Sequence, residues 1–379
     1  MDLRPLRSPT RFLTPLFIAW SFTLGACSPD YGDVPHSLRD PFATTAFDST
    51  RGVTVLFGGL DGSRAGETWE WDGSTWTRRA TTGPSPRQGH ALAFDSARGV
   101  TVLFGGFEGS GHLSGQTWEW DGITWTLRTS TGPTPRYGHA MAFDSVRGTT
   151  YLFGGFDGQP NRTQDTWEYV GSSGRWFLRA TLGPSKRLRH AMVFDATRNV
   201  TLLFGGQDDD RADGAFSSDL WQYEGQFRRW TQINATGPSA RYLHAMVFDN
   251  ARGVALLFGG LTSDYQYAGD TWAWDGVAWT QEPAAVDPAP RAAHAMAFDN
   301  GRNVAVLFGG YAGSFNRETW EWDGVQWVEH DAAFSIPSIS SLSARGFGLL
   351  EGSKGGVRLL EFQLDADANG MRGSWTGSR

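Results

Sequence analysis

The chain has 379 residues, a formal charge of −7 and a single cysteine. A net negative chain without a basic stripe excludes nucleic acid as a partner. Forty-nine glycines and eighteen tryptophans suit a fold of many turns and aromatic strands, with no long coiled-coil or disordered stretch.

Residues 1–26 carry a targeting pattern and stand outside the fold. Arg4, Arg7 and Arg11 form a positive region, and Phe12–Ala26 is an apolar run interrupted by Pro15. That run is shorter than the roughly 20 residues a membrane-spanning helix needs. Leu24-Gly25-Ala26-Cys27 resembles the bacterial lipobox, which implies a lipidated Cys27 as the mature N-terminus and a lipid anchor in the cell envelope. Ser28 in place of Asp points to the outer membrane. Residues 27–41, with three prolines, read as a tether.

From residue 42 the chain repeats. Arg87–Gly106 reads RQGHALAFDSARGVTVLFGG, and close copies begin at Arg136, Arg187, Arg241 and Arg291. A copy lacking its opening residues spans Phe42–Gly59, so six units fill residues 42–331 at a period of about 50 residues. Within the stretch, His90–Phe94 and Val100–Phe104 are strand-like runs around a fixed turn. Its last position is Gly52, Gly99, Gly148, Asn199, Gly253 or Asn303, residues that enter positive φ cheaply, so a left-handed turn closes the hairpin. The glycine pair beginning at Gly58, Gly105, Gly154, Gly205, Gly259 and Gly309 allows a neighbouring backbone to approach closely. A second hairpin follows, marked by Asp-Gly at Asp72, Asp121, Asp275 and Asp323 between aromatic strands. Each unit is therefore a four-stranded antiparallel meander.

The pattern R-x-x-H-A … L-F-G-G … T-W-E-W-D … W-T resembles the kelch repeat over about three quarters of the chain. The resemblance implies an all-β, kelch-type β-propeller of six regular blades. In residues 332–379, Gly346–Leu350, Gly356–Phe362 and Ser374–Thr376 echo three strands of a unit, so a degenerate seventh blade is expected, with a closing tail as the alternative. Among secreted bacterial proteins the combination resembles the kelch-containing lipoproteins.

The strand connectivity puts the exits of the second strands and the links between blades on one face. Those exits differ in length and chemistry, and variable loops on a constant scaffold are where binding resides. Arg87, Arg136, Arg187, Arg241 and Arg291 are a candidate ligand-binding ring at the channel mouth, able to hold a carboxylate; the alternative is pairing within each blade. The histidines His90, His139, His190, His244 and His294 read as structural. Tryptophan pairs such as Trp69/Trp71 fill the space between blades, while Tyr265 and Tyr267 are candidate exposed aromatics. Asp208, Asp210 and Asp213 form a weak calcium candidate without a recognised spacing. No cofactor and no catalytic constellation is expected: the only cysteine belongs to the lipobox, which excludes the copper chemistry of some kelch oxidases. The expected function is an envelope-anchored, monomeric protein-binding or scaffold module, with a carbohydrate-binding or sugar-processing, epimerase-like propeller as the alternative.

Overall fold

A computed structural model describes residues 43–59, 66–108, 112–158, 162–208, 216–335, 342–351, 357–367 and 370–377. The targeting segment, Cys27 and the tether lie outside the described residues. No helix among the described residues is long and apolar enough to cross a membrane.

The repeated Phe-Asp turn explains why each unit begins as a tight hairpin. In the second unit, Asp95 Oδ1 accepts from the backbone N–H groups of Ala97 and Arg98, and Asp95 O accepts from Gly99 N. The Asp side chain thereby replaces ladder bonds that the turn cannot make. All six closing positions have positive φ, from 57° at Asn303 to 69° at Gly52.

This hairpin starts a four-stranded antiparallel sheet in chain order. In the second unit the strands are Ala91–Asp95, Val100–Phe104, Thr117–Trp120 and Trp125–Thr129. Val100–Phe104 is covered on both faces, which is why it reads as a nearly unbroken apolar run rather than an alternating one. The outer strand Trp125–Thr129 buries only its tryptophan and exposes the residues after it.

Six such sheets stand side by side as blades. Their inner strands, Thr44–Asp48, Ala91–Asp95, Ala140–Asp144, Ala191–Asp195, Ala245–Asp249 and Ala295–Asp299, pack in sequence, and the last packs on the first. The ring therefore closes on six blades, and the expected seventh blade is corrected. The closing interface uses the same contacts as the others. Trp71 Nε1 donates to Glu321 and Trp76 Nε1 to Thr319 across it, as Trp120 does to Glu70 and Trp125 to Thr68 between the first two blades. With no gap left between the sixth and first blades, another sheet cannot insert.

The chain after the sixth blade returns to the first. Ala333–Ser335 pairs in parallel with Thr75–Thr77 and gives that blade a fifth, outermost strand. Leu342–Glu351, Val357–Asp367 and Gly370–Gly377 form a separate three-stranded antiparallel sheet.

The core lies between blades, as the tryptophan pairs imply. Trp69 and Trp71 pack with Val306 and Phe308 of the sixth blade. Trp120 and Trp125 pack with Val55 and Phe57 of the first. Two departures from the repeat leave visible marks. In the fifth blade Ala273 stands where its neighbours have Glu70, Glu119 or Glu321, and the buried Trp322 Nε1 that would donate there has no partner. In the fourth blade Leu220 occupies the position of the threonine acceptors Thr68, Thr117, Thr166, Thr271 and Thr319.

Candidate binding site at the mouth of the central channel

The R-x-x-H segment crosses from the outer strand of one blade to the inner strand of the next. Its first two residues pair with those after the glycine pair, as Arg87–Gln88 do with Phe107–Glu108. Arg87, Arg136, Arg187, Arg241 and Arg291 are 0–1% exposed. Each donates to the carbonyl of the first glycine of its own blade's pair, Gly105, Gly154, Gly205, Gly259 or Gly309, at 2.9–3.1 Å. Each also meets an acid of that blade: Glu108, Asp165, Asp219, Asp270 or Glu318.

The guanidinium groups therefore point into the blades and do not form an open ring, which corrects that expectation. A fixed fork with several N–H donors ties a loop to a strand better than it could serve a ligand from this depth. Burial works to raise the carboxyl pKa of Asp165, Asp219 and Asp270, yet the arginine hydrogen bonds overcome it and hold all three below their ordinary value. The same acids accept from the indole two residues on, Trp167, Trp221 and Trp272. The acid-x-Trp pattern that places them is repeated in the sequence and is the signal by which they could have been found.

The histidines three residues further on are buried and line a cavity of about 540 Å³ at the mouth of the channel. Each imidazole meets a phenylalanine of the preceding blade edge to face, as His139 meets Phe104 with centroids 5.4 Å apart. Burial first, and the adjacent arginine second, push His139, His244 and His294 down to about 3. His90 is likewise pushed down to about 3, and His190 well below its usual value. All five are neutral at physiological pH. His90 Nε2 lies 2.8 Å from Thr44 Oγ1, and each of the five imidazoles also faces the backbone carbonyl of the phenylalanine on the preceding blade, Phe57, Phe104, Phe153, Phe204 or Phe258. The sixth copy has Ala43 at this position.

The histidines also explain the glycine pair. A Cβ on Gly105 would stand 2.7 Å from both Arg136 O and His139 Cε1, and equivalent clashes occur at Gly58, Gly154, Gly205 and Gly259. Gly309, which faces the blade without a histidine, would meet only Asn316 O at 3.2 Å.

Between arginine and histidine lies a position that sequence reading missed. Gly89, Gly138, Arg189, Leu243 and Ala293 all have φ between 57° and 68°. Their peptides form a belt around the mouth: Gly138 N donates to Gly89 O, Arg189 N to Gly138 O, Leu243 N to Arg189 O and Ala293 N to Leu243 O, at 2.6–3.0 Å. Left-handed backbone at Arg189 and Leu243 costs about 1 kcal/mol each. The belt bonds impose that backbone in every described copy, whatever side chain it carries.

Outside the belt the loops carry aromatics. Phe216 stacks with Tyr242 at 4.3 Å and meets Tyr265, while Tyr267 meets Tyr311, which meets Phe315. Tyr265 is 72% and Phe315 55% exposed, so the structure places Tyr265 and Tyr267 together in an arc across the fourth to sixth blades. Opposite, Phe107, Tyr137 and Phe156 form a second group. The Arg189 guanidinium lies 5.9 Å from the centre of the Tyr242 ring. Asp208 is buried and accepts from Ser185, while Asp210 and Asp213 lie outside the described residues. Among the described residues no cluster of three or more His, Cys, Asp or Glu could hold a metal ion.

Residues 54–320 match the family described as Attractin/LZTR1 beta-propeller. The chain belongs to that family. A solved structure titled "Structure of YjhT" superposes on 77% of this chain and 98% of its own, with a TM-score of 0.60 and 15% sequence identity, a likeness of fold alone. No curated protein matches the chain. Membership of this kelch-type family agrees with the six four-stranded blades and with the repeat pattern that announced them.

Proposed function

We propose that this propeller is an envelope-anchored binding module that captures a partner protein on its mouth face. The observation that carries the reading is the arc from Phe216 to Phe315, with Tyr265 and Tyr267 at its centre. Large rings held by one another offer contact area at little entropic cost, the property that makes tyrosine an interface anchor. The opposite face has near-identical Asp…Arg turns, and its exposed apolar residues, Val146, Ile123, Phe227, Val277 and Val325, each stand on a different turn. The anchoring half of the reading is supported by Leu24-Gly25-Ala26-Cys27.

Two experiments test the two halves. Envelope proteins retained on immobilised protein are compared with those retained by a Tyr265→Ala/Tyr267→Ala variant. A partner lost only from the variant supports the reading; identical retention by both sinks it. Anchoring is read by incorporation of labelled fatty acid, expected in the natural chain and absent from Cys27→Ala.

A further inference from the structure

Among the described residues five blades supply the belt, and its two ends are Gly89 and Ala293. A sixth place lies between them, on the first blade. Phe42-Ala43-Thr44 stands in register with Gly89-His90-Ala91, so that place belongs to Phe42, the residue immediately before the described ones. Ala43 is buried and lines the mouth cavity together with Thr44. The first inner strand, Thr44–Asp48, runs from the mouth to the turn end, so the chain that precedes it arrives from the mouth. Backbone at the belt is left-handed whatever the side chain, as Arg189 and Leu243 show.

The cavity leaves room for a large side chain at this place. Ala43 stands where the other copies have a histidine, and Gly89 and Gly138 bring no side chain to the rim, whereas Arg189 and Leu243 line its other side. A Cβ on Gly89 would stand 3.2 Å from the Tyr137 ring, and one on Gly138 would stand 3.3 Å from Leu188 Cβ. A belt side chain thus leans onto the residue that precedes the next belt position. For Phe42 that residue is Gln88, and the glycine after it obstructs nothing. Beyond lie Phe107, which pairs with Gln88 and is 36% exposed, and Tyr137, whose ring meets that of Phe107 edge to face. An aromatic ring laid there takes apolar surface out of water.

We propose that the channel mouth is the seat of the chain's own Phe42. Its N–H donates to Ala293 O and its carbonyl accepts from Gly89 N, which closes the belt, while its ring packs over Gly89 against Phe107 and Tyr137. The residues before it then leave through the mouth face, and a ligand entering the cavity must displace the ring. This seat depends neither on lipidation of Cys27 nor on capture of a partner by the aromatic arc.

Two measurements on the full chain test it. With p-benzoyl-L-phenylalanine at position 42, irradiation is expected to cross-link that position to Gln88, Phe107 or Tyr137; cross-links confined to other residues, or none, overturn the proposal. In amide hydrogen exchange the Gly89 N–H is expected to be as protected as that of Gly138, which bonds to Gly89 O. Phe42→Pro has no N–H and cannot take positive φ, so it should speed exchange at Gly89 about a hundredfold while Gly138 stays slow. Phe42→Gly, which keeps both peptide bonds, should leave Gly89 slow. Fast exchange at Gly89 in the natural chain, or no change in Phe42→Pro, overturns the closure of the belt. Should Phe42→Pro loosen both glycines, the cross-link alone decides.

Discussion

The two ends of the channel are built from the same six strands and differ in how they spend polar groups. At the turn end, each described acid, arginine and turn peptide answers another within one blade, as Asp48, Arg51 and Glu70 do. The cavity there, of about 390 Å³, is lined by apolar residues such as Phe94, Met192 and Phe248 together with polar ones such as Ser96, Ser145 and Asn300. At the mouth end the arginines are equally satisfied, the histidines are buried and neutral against phenylalanine rings, and the belt holds non-glycine residues at positive φ. Repeated structure thus stabilises both ends, with charged pairs at the turns and with peptide bonds between blades at the mouth.

Acid should separate the two ends most sharply. Histidine values near 3 in the folded protein lie below the unfolded value of about 6.5. The unfolded chain therefore takes up protons that the folded chain refuses. The stability is complete above pH about 6.5 and is lost as pH falls towards 3, at about 1.4 kcal/mol per pH unit for each histidine. Asp165, Asp219, Asp270 and Glu318, all held low, add losses of the same sign below the ordinary carboxylate range. Melting temperature should fall steeply from pH 6.5 downward, and less steeply in His139→Gln. A flat profile between neutral and mildly acid pH would contradict the burial of the histidines.

Removal of one arginine comes next. Arg187→Ala strands Asp219 and the Gly205 carbonyl, and should cost about 3–5 kcal/mol by denaturant titration; a loss below about 1 kcal/mol would mean that the side chain serves something other than its blade.

The glycines grade the ends more finely. Gly105→Ala combines strained φ with a clash against His139 and should cost about 3 kcal/mol. Gly309→Ala, facing the blade that lacks the histidine, and Gly99→Ala, which would meet only Thr50 Oγ1 at an ordinary 3.6 Å, should each cost about 1 kcal/mol. Equal effects at Gly105 and Gly309 would refute the role given to the histidine.

Ala273→Glu is expected to stabilise by about 1 kcal/mol, since it supplies Trp322 Nε1 with an acceptor and Arg252 with a further acid beside Asp249 and Glu282. Smallest of all, Arg189→Gly should raise stability by up to about 1 kcal/mol through relief of positive φ, visible as a slight rise in melting temperature.

Much of the scaffold was legible because it repeats in kind. Glycine or asparagine at all six turn positions announced φ > 0, and every one has it. The belt position has the same backbone and was invisible, because Gly89, Arg189, Leu243 and Ala293 share no side-chain property; bonds between blades dictate it, and no local preference does. The arginines misled for a related reason. Their partners are a carbonyl and an acid far along the chain, so the spacing places them near the mouth without saying which way they point. Blade number was ambiguous since strand-like residues after 332 look the same whether they enter a ring or not. Closure was decided by contacts from Trp71 and Trp76 to residues some 250 positions later. Tyr265 and Tyr267 were found singly, while their association with Phe216, Tyr311 and Phe315 needed three loops from three blades.

The belt of peptide bonds has a mechanical consequence. Its members are linked head to tail, so none of the second to sixth blades can swing outward at the mouth without breaking a bond to a neighbour. Along those five blades the rim behaves as a strap of fixed length, and the loops are fittings mounted on it. A loop can be lengthened, shortened or exchanged while the strap keeps its length, which lets one scaffold change its surface without renegotiating how it stands.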